Sequence, residues 1–142
     1  MITLNAVRLV RWHYFEDELI PLGNFSLLAG DNGSGKTTIV DAIQYALAAD
    51  LRKARFNASV ADRKGGRDLA GYARCKLGSD TTEYLRKDTV SHVILEFTKG
   101  SERFLAGSCI EAFVDGRTNE RFWTANDISA ASIVVVNPDN AR

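Results

Sequence analysis

The sequence predicts an α/β domain, and two stretches carry that prediction. Phe25 to Leu47 reads as a short buried strand, a glycine-rich loop and a helix. From Val90 onward the hydrophobic period changes to two, the pattern of strands in an antiparallel sheet. The 142 residues are one domain's worth of chain. We read residues 1–142 as a single domain: a loop-bearing core over 1–50, a basic segment with a helix over 51–78, and an antiparallel β region over 90–125.

Bulk properties narrow the class. No apolar run approaches the roughly 20 residues of a membrane span, so no membrane partner is expected. Met1 leads straight into a strand pattern with no signal peptide ahead of it. Cys75 and Cys109 are far apart and lack metal-type spacing, which points to packing residues in a reducing, cytoplasmic setting. Net charge is zero but uneven. Arg52, Lys53, Arg55, Arg63, Lys64, Arg67, Arg74 and Lys76 crowd one segment against only Asp62 and Asp68, while the flanking segments are acidic.

In chain order, residues 2–11 read as a strand anchored by Val7, Leu9 and Val10, and Pro21 to Asn24 as a turn cluster. Arg11, Trp12, His13 and Tyr14 fall between the first strands. His13 has no partner at metal or triad spacing. Phe25 to Ala29 is the apolar run expected of a strand covered on both faces. Ile39, Val40, Ile43, Ala46 and Leu47 then recur at helical spacing. Arg67 to Leu77 repeats that spacing with Leu69, Tyr72, Ala73 and Leu77, and Gly78 suits the position past a helix end. Val90 to Thr98 alternates, Lys99-Gly100 is a turn, and Arg103 to Val114 reads as one or two strands. Asp115-Gly116 is a hairpin signal leading into Arg117 to Thr124. Phe97, Phe104, Phe113, Phe122 and Trp123 are the expected core of that region.

The loop carries the chemistry. Gly30, Gly35, Lys36 and Thr37 fill every fixed place of the phosphate-loop pattern GxxxxGK[ST], between a predicted strand and a predicted helix. Glycines at 30, 33 and 35 let successive N–H groups point inward at phosphate oxygens with no Cβ in the way. The helix N-terminus adds its positive dipole end. The expected ligand is ATP with Mg²⁺, cradled by Gly30, Asp31, Asn32, Gly33, Ser34 and Gly35. Lys36 is expected to bridge the β- and γ-phosphates as the catalytic cation, Thr37 to ligate Mg²⁺, and Thr38 to approach the α-phosphate. The bland alternative, a glycine-rich turn that matches by accident, fits less well because strand, loop and helix agree.

The wider wording, GDNGSGKTTIVDAIQYAL, resembles the phosphate loop of ABC-type ATPase heads in the SMC, MukB and SbcC group, where an NGSGK core leads into an "hDAhxxAL" helix. Val40, Asp41, Ala42, Ile43, Tyr45, Ala46 and Leu47 fill that helix here. LVRWHYF before the loop, DLRKARFNA after it and RDLAGYARCKLG further on are similar to the condensin-like (JetC, MksF or EptC) subunit of Wadjet plasmid-defence systems. The resemblance covers about residues 1–125. It implies the N-terminal lobe of an ABC-type head, a mixed sheet with an antiparallel β-subdomain around the Walker A strand–loop–helix unit. It also implies partners: the C-terminal lobe of the same head, a second head, kleisin and accessory subunits, a nuclease subunit and double-stranded DNA.

Two further site readings follow from it. In related heads the corner holding Arg11 and Trp12 lies near the adenine, so Arg11 is a candidate base contact; a sheet-edge aromatic cluster is the plainer reading. Arg52, Lys53 and Arg55 are candidate DNA contacts, against the alternative of a solvated charged face.

A complete head also carries a magnesium-sensing glutamine, an LSGG-like signature, a Walker B aspartate with its glutamate, and a switch histidine. Gln44 lies about 12 Å along the helix from Lys36 at 1.5 Å per residue, too far to sense that ion. Ile133 to Arg142 imitates a Walker B strand, but Asn137 stands where the aspartate belongs and Pro138 follows, so it reads as a strand end or chain boundary. The sequence therefore looks like the N-terminal lobe alone, active only in the assembled head. The rivals are an SbcC-like nuclease-associated ATPase, a small stand-alone P-loop kinase, and a non-hydrolysing nucleotide-binding module.

Overall fold

A computed structural model describes residues 1–50, 56, 68–78 and 83–135. The chain builds one five-stranded sheet with helices on one face. The strands are β1 (Ile2–Trp12), β2 (Phe15–Pro21), β3 (Thr89–Lys99), β4 (Glu102–Ala112) and β5 (Thr118–Asn126). Their order is β2-β1-β3-β4-β5, and each pairing is antiparallel. Among the described residues the helices are α1 (Lys36–Ala48) and α2 (Leu69–Arg74), and a 3₁₀ turn spans Ala130–Ser132.

Alternation along each strand divides the sheet into two faces. Val7 pairs with Leu95 and Leu9 with Val93, and these side chains meet α1 and α2 in the main core with Trp12, Tyr45, Tyr72 and Ile110. Ile94 and Leu105 face the other way, where Trp123, Ile128, Ala130 and Ile133 cover them. Arg8, on that second face, is held by Asp17 through two hydrogen bonds of 2.8 Å and donates to the carbonyls of Ala130 and Ile133. The Asp17 carboxyl is held below the usual carboxylate range by the hydrogen bonds from Arg8, against a smaller opposing effect of burial.

The β region follows its sequence pattern closely. The stretch read as Arg103 to Val114 is one strand, not two, and it ends at Ala112; Gly100 turns β3 into β4 at φ 62°. At Asp115-Gly116 the turn closes with Gly116 N–H on the Phe113 carbonyl at 3.0 Å, Gly116 taking φ 88°. The Asp115 carboxylate accepts from the Arg117 amide and guanidinium.

Four expectations need correcting. Phe25 to Ala29 is not a strand: Phe25 is 88% and Leu27 80% exposed, and only Leu28 packs on the core. A strand needs a neighbour for its N–H and C=O groups, and among the described residues none runs beside it. The sheet is consequently antiparallel throughout rather than mixed. The second helix is shorter than its spacing predicts. Asp68 caps it by accepting from Gly71 N–H at 2.7 Å, and Cys75 ends it in the left-handed region at φ 57°, three residues before Gly78.

The expected core of the β region holds in part: Trp123 and Phe97 pack against the buried clusters, but the most deeply buried aromatics lie elsewhere. The largest fully buried side chains are Trp12, Tyr45 and Tyr72, whereas Phe122 on edge strand β5 is 38% exposed. Phe97 and Phe104 stack across β3 and β4 at 5.1 Å. The Trp123 indole lies over Gly107 so closely that a Cβ there would collide with it. Finally, Ile133 to Val135 is irregular rather than a strand end, and residues 136–142, including Asn137 and Pro138, lie outside the described residues.

Candidate functional site: the phosphate loop

The loop from Gly30 to Gly35 runs over the surface and delivers the chain into α1. Its glycines are required by geometry. Gly33 and Gly35 take φ 85° and 97°, a region other L-residues avoid. Gly35 also lies against the Phe15 ring, which an added Cβ would meet at 3.4 Å, and a Cβ on Gly30 would meet the Ser34 hydroxyl at 2.5 Å. The loop is thus closed on itself, with Ser34 N–H donating to the Asp31 carbonyl at 3.1 Å.

Gly35 is the N-cap of α1, and no side chain caps that end. The first-turn amides of α1 are therefore not occupied by a capping side chain, the arrangement in which a helix N-terminus receives an anion. Thr37 is exposed in the first turn, and Thr38 is buried. The Lys36 ammonium folds back over the loop. It donates to the carbonyls of Gly30 and Asp31, the latter at 2.8 Å, and approaches the Ser34 hydroxyl at 3.3 Å. All three partners belong to the loop, so the cation sits where phosphate oxygens would replace those acceptors.

Fit can be judged from these donors. The loop provides backbone curvature without side chains, a helix N-terminus and one cation, which suit a polyphosphate. For Mg²⁺ it provides the Thr37 hydroxyl. No group of three or more His, Cys, Asp or Glu side chains able to hold a metal occurs among the described residues. Remaining ligands would come from phosphate oxygens and water.

Behind the loop lies a cluster whose members the sequence names separately but does not bring together. The Trp12 indole N–H donates to the Thr38 carbonyl at 3.0 Å. Its ring stacks on Tyr72 at 4.6 Å and 8° and on Tyr45 at 5.9 Å and 20°. The Tyr72 hydroxyl donates to the buried carboxylate of Asp41 in α1. At the other end of the helix the Tyr45 hydroxyl donates to Glu120 at 2.5 Å; burial, then that carboxylate, push its pKa well up. The one sequence signal for this cluster was the apolar and aromatic spacing of the two helices, and it does not tell which residues meet.

At the Arg11–Trp12 corner the aromatic-cluster reading describes Trp12, which stacks on Tyr72 and Tyr45. Trp12 is fully buried and belongs to the core. Arg11 lines a cavity of about 420 Å³ with Arg8, Glu16, Asp17, His92 and Val134, which includes no residue of the loop. It lies 3.9 Å from Glu16 and 3.4 Å from the Thr89 hydroxyl. The structure brings Gly30 to Thr37 together in one loop and the first turn of α1. His13, read from sequence as neither ligand nor base, is buried with its Nδ1 3.4 Å from the Cys75 sulfur. Arg52, Lys53 and Arg55 lie outside the described residues.

Residues 4–63 match the P-loop containing region of the AAA domain. That span takes in β1, β2, the loop and α1. No curated protein sequence matches the chain. The N-terminal part of the chain is accordingly similar to P-loop ATPases, on an α/β-type framework with a five-stranded antiparallel sheet. No described helix is long and apolar enough to cross a membrane.

Proposed function

We propose that the chain binds ATP with Mg²⁺ at the Gly30–Thr37 loop and is the N-terminal lobe of an ABC-type head in an SMC-like, Wadjet-type DNA-translocating ATPase. The observation that carries the nucleotide assignment is the complete GxxxxGK[ST] loop leading into an α1 N-terminus with no side-chain cap. When bound, the metal would neutralise charge on the phosphates. This chain's own residues would hold and orient the nucleotide: the loop amides would receive the phosphates, Lys36 would exchange its loop carbonyls for phosphate oxygens, and the Thr37 hydroxyl would serve the metal.

Uncovered apolar surface supports the lobe reading. Phe25 and Leu27 stand in solvent next to a groove of about 450 Å³ lined by Met1, Ile2, Leu4 and Leu22. Exposed apolar surface leading into a phosphate loop is what a missing neighbour would cover. In-line attack on the γ-phosphate also needs a positioned water and stabilisation on its far side, and no carboxylate of the recognised Walker B kind stands in this sequence. The second lobe, a second head, and kleisin, accessory and nuclease subunits complete the proposed machine.

Phosphate release from residues 1–142, with and without a matching C-terminal lobe, tests this. Turnover is expected only with the lobe present, together with improved solubility. Lysine-dependent turnover by the chain alone would sink the half-head and favour a self-sufficient kinase or hydrolase. DNA contact is tested separately in the assembled heads. Reversing Arg52, Lys53 and Arg55 to Glu should weaken binding and lower the log–log salt slope by roughly 0.9 per lost phosphate contact. An unchanged slope removes these residues from the DNA interface.

A further inference from the structure

We infer that Tyr72, acting with Trp12 and Asp41, is a positioning residue for the phosphate loop: it fixes the first two turns of α1, and so the placement of Lys36 and Thr37. The consequence for ATP depends on the nucleotide reading above, whereas the consequence for α1 does not.

Tyr72 meets three elements at once. Its ring stacks on Trp12 of β1 at 4.6 Å, its hydroxyl donates to Asp41 of α1, and its carbonyl accepts from the His13 amide at 2.7 Å in the β1–β2 turn. Trp12 in turn donates to the Thr38 carbonyl. Helix α1 is therefore gripped at residue 38 from β1 and at residue 41 from α2, within two turns of Gly35. Trp12, Tyr72 and Asp41 are all essentially inaccessible to solvent, so these hydrogen bonds act at low local dielectric, where networks reinforce one another.

The grip matters because the entry to α1 lacks the usual local fastenings. No side chain caps the helix and no acidic residue sits in its first turn. An uncapped first turn frays unless tertiary contacts hold it. Such a turn can offer its amides to an anion only if something other than a cap keeps it in place. The buried cluster does so from the core side, while Thr37 in the first turn stays exposed. Misplacing reacting groups by about 1 Å is enough to cost up to about a hundredfold in function, so loosening this grip reaches the loop without any contact to the ligand.

Conservative variants of the full 142-residue chain separate positioning from mere stability. Tyr72→Phe keeps the stacked ring and removes the hydroxyl; Asp41→Asn keeps the shape and removes the charge. Leu105→Ala, in the core on the opposite face of the sheet, is the control for general destabilisation. Two readouts are taken where every variant is folded: amide hydrogen exchange over residues 36–42 without nucleotide, and affinity for fluorescent mant-ATP. Tyr72→Phe and Asp41→Asn are each expected to speed exchange over 36–42 and to weaken mant-ATP binding about tenfold, with the double variant no worse than either. Leu105→Ala should lower the Tm and leave both readouts alone. Wild-type exchange over 36–42 in Tyr72→Phe, with only its Tm lowered, overturns the inference. Failure of the wild type to bind mant-ATP would instead remove the nucleotide reading, and the exchange comparison would still decide whether Tyr72 positions α1.

Discussion

Lys36→Ala should leave the fold intact and weaken ATP binding by roughly ten- to a hundredfold for each charge-assisted hydrogen bond lost. Such a bond contributes about 1.5–3 kcal/mol, and about 1.4 kcal/mol is a factor of ten in affinity. The fold should survive because, among the described residues, the Lys36 ammonium bonds to groups of its own loop. Surface changes of this kind usually stay within about 0.5 kcal/mol. Titrating labelled ATP into matched wild-type and variant protein, with a thermal melt of each, reads both halves of the expectation. Equal affinity would mean that the ammonium stays on the Gly30 and Asp31 carbonyls when nucleotide is present, and the loop would lose its assigned role.

Trp12→Ala should have the opposite profile, a large loss of stability. The indole is fully buried, stacks on two tyrosines and satisfies a helix carbonyl. Removing a buried Trp costs about 3–5 kcal/mol, out of a total of roughly 5–15 kcal/mol for a domain. At this chain length that corresponds to a drop in Tm of roughly 10–20 °C. Phe122→Ala, on an edge strand and 38% exposed, should cost much less. Thermal or urea unfolding of the two variants side by side decides the point. A Trp12→Ala protein as stable as Phe122→Ala would take the aromatic core away from Trp12.

What was legible in the sequence was local. The loop follows from glycines and a lysine at fixed spacing, and α1 from its apolar period. The β3–β4–β5 region follows from alternation and two tight turns. Each of these depends on residues close together in the chain. What was not legible depends on partners far apart. Phe25 to Ala29 has the composition of a buried strand, but composition does not tell whether a neighbour is there to pair with it. Trp12 reads as part of a sheet-edge cluster or of a base-contacting corner. Arg11 and His13 each take φ 50°, and Trp12 between them lies in the core; nothing in their identity announces that conformation. The Tyr72–Asp41 hydrogen bond joins two helices that separate patterns define but do not dock. Helix α2 ends at Cys75 because that residue takes a left-handed conformation usually reserved for glycine, which made Gly78 the misleading choice.

The order of strands bears on how this chain can grow into larger bodies. An antiparallel sheet offers two open margins, and each is a template for adding another chain's strand. Here β2 carries Glu16, Asp17 and Glu18 and finishes at Pro21, while β5 carries Glu120 and Arg121. Charge and proline along a margin discourage strand addition and, with it, fibrous polymerisation. Phe25 to Ala29 has no charged residue and no proline. Indiscriminate self-association through that short apolar segment, rather than through the sheet's margins, is therefore the hazard this chain carries until the segment is covered.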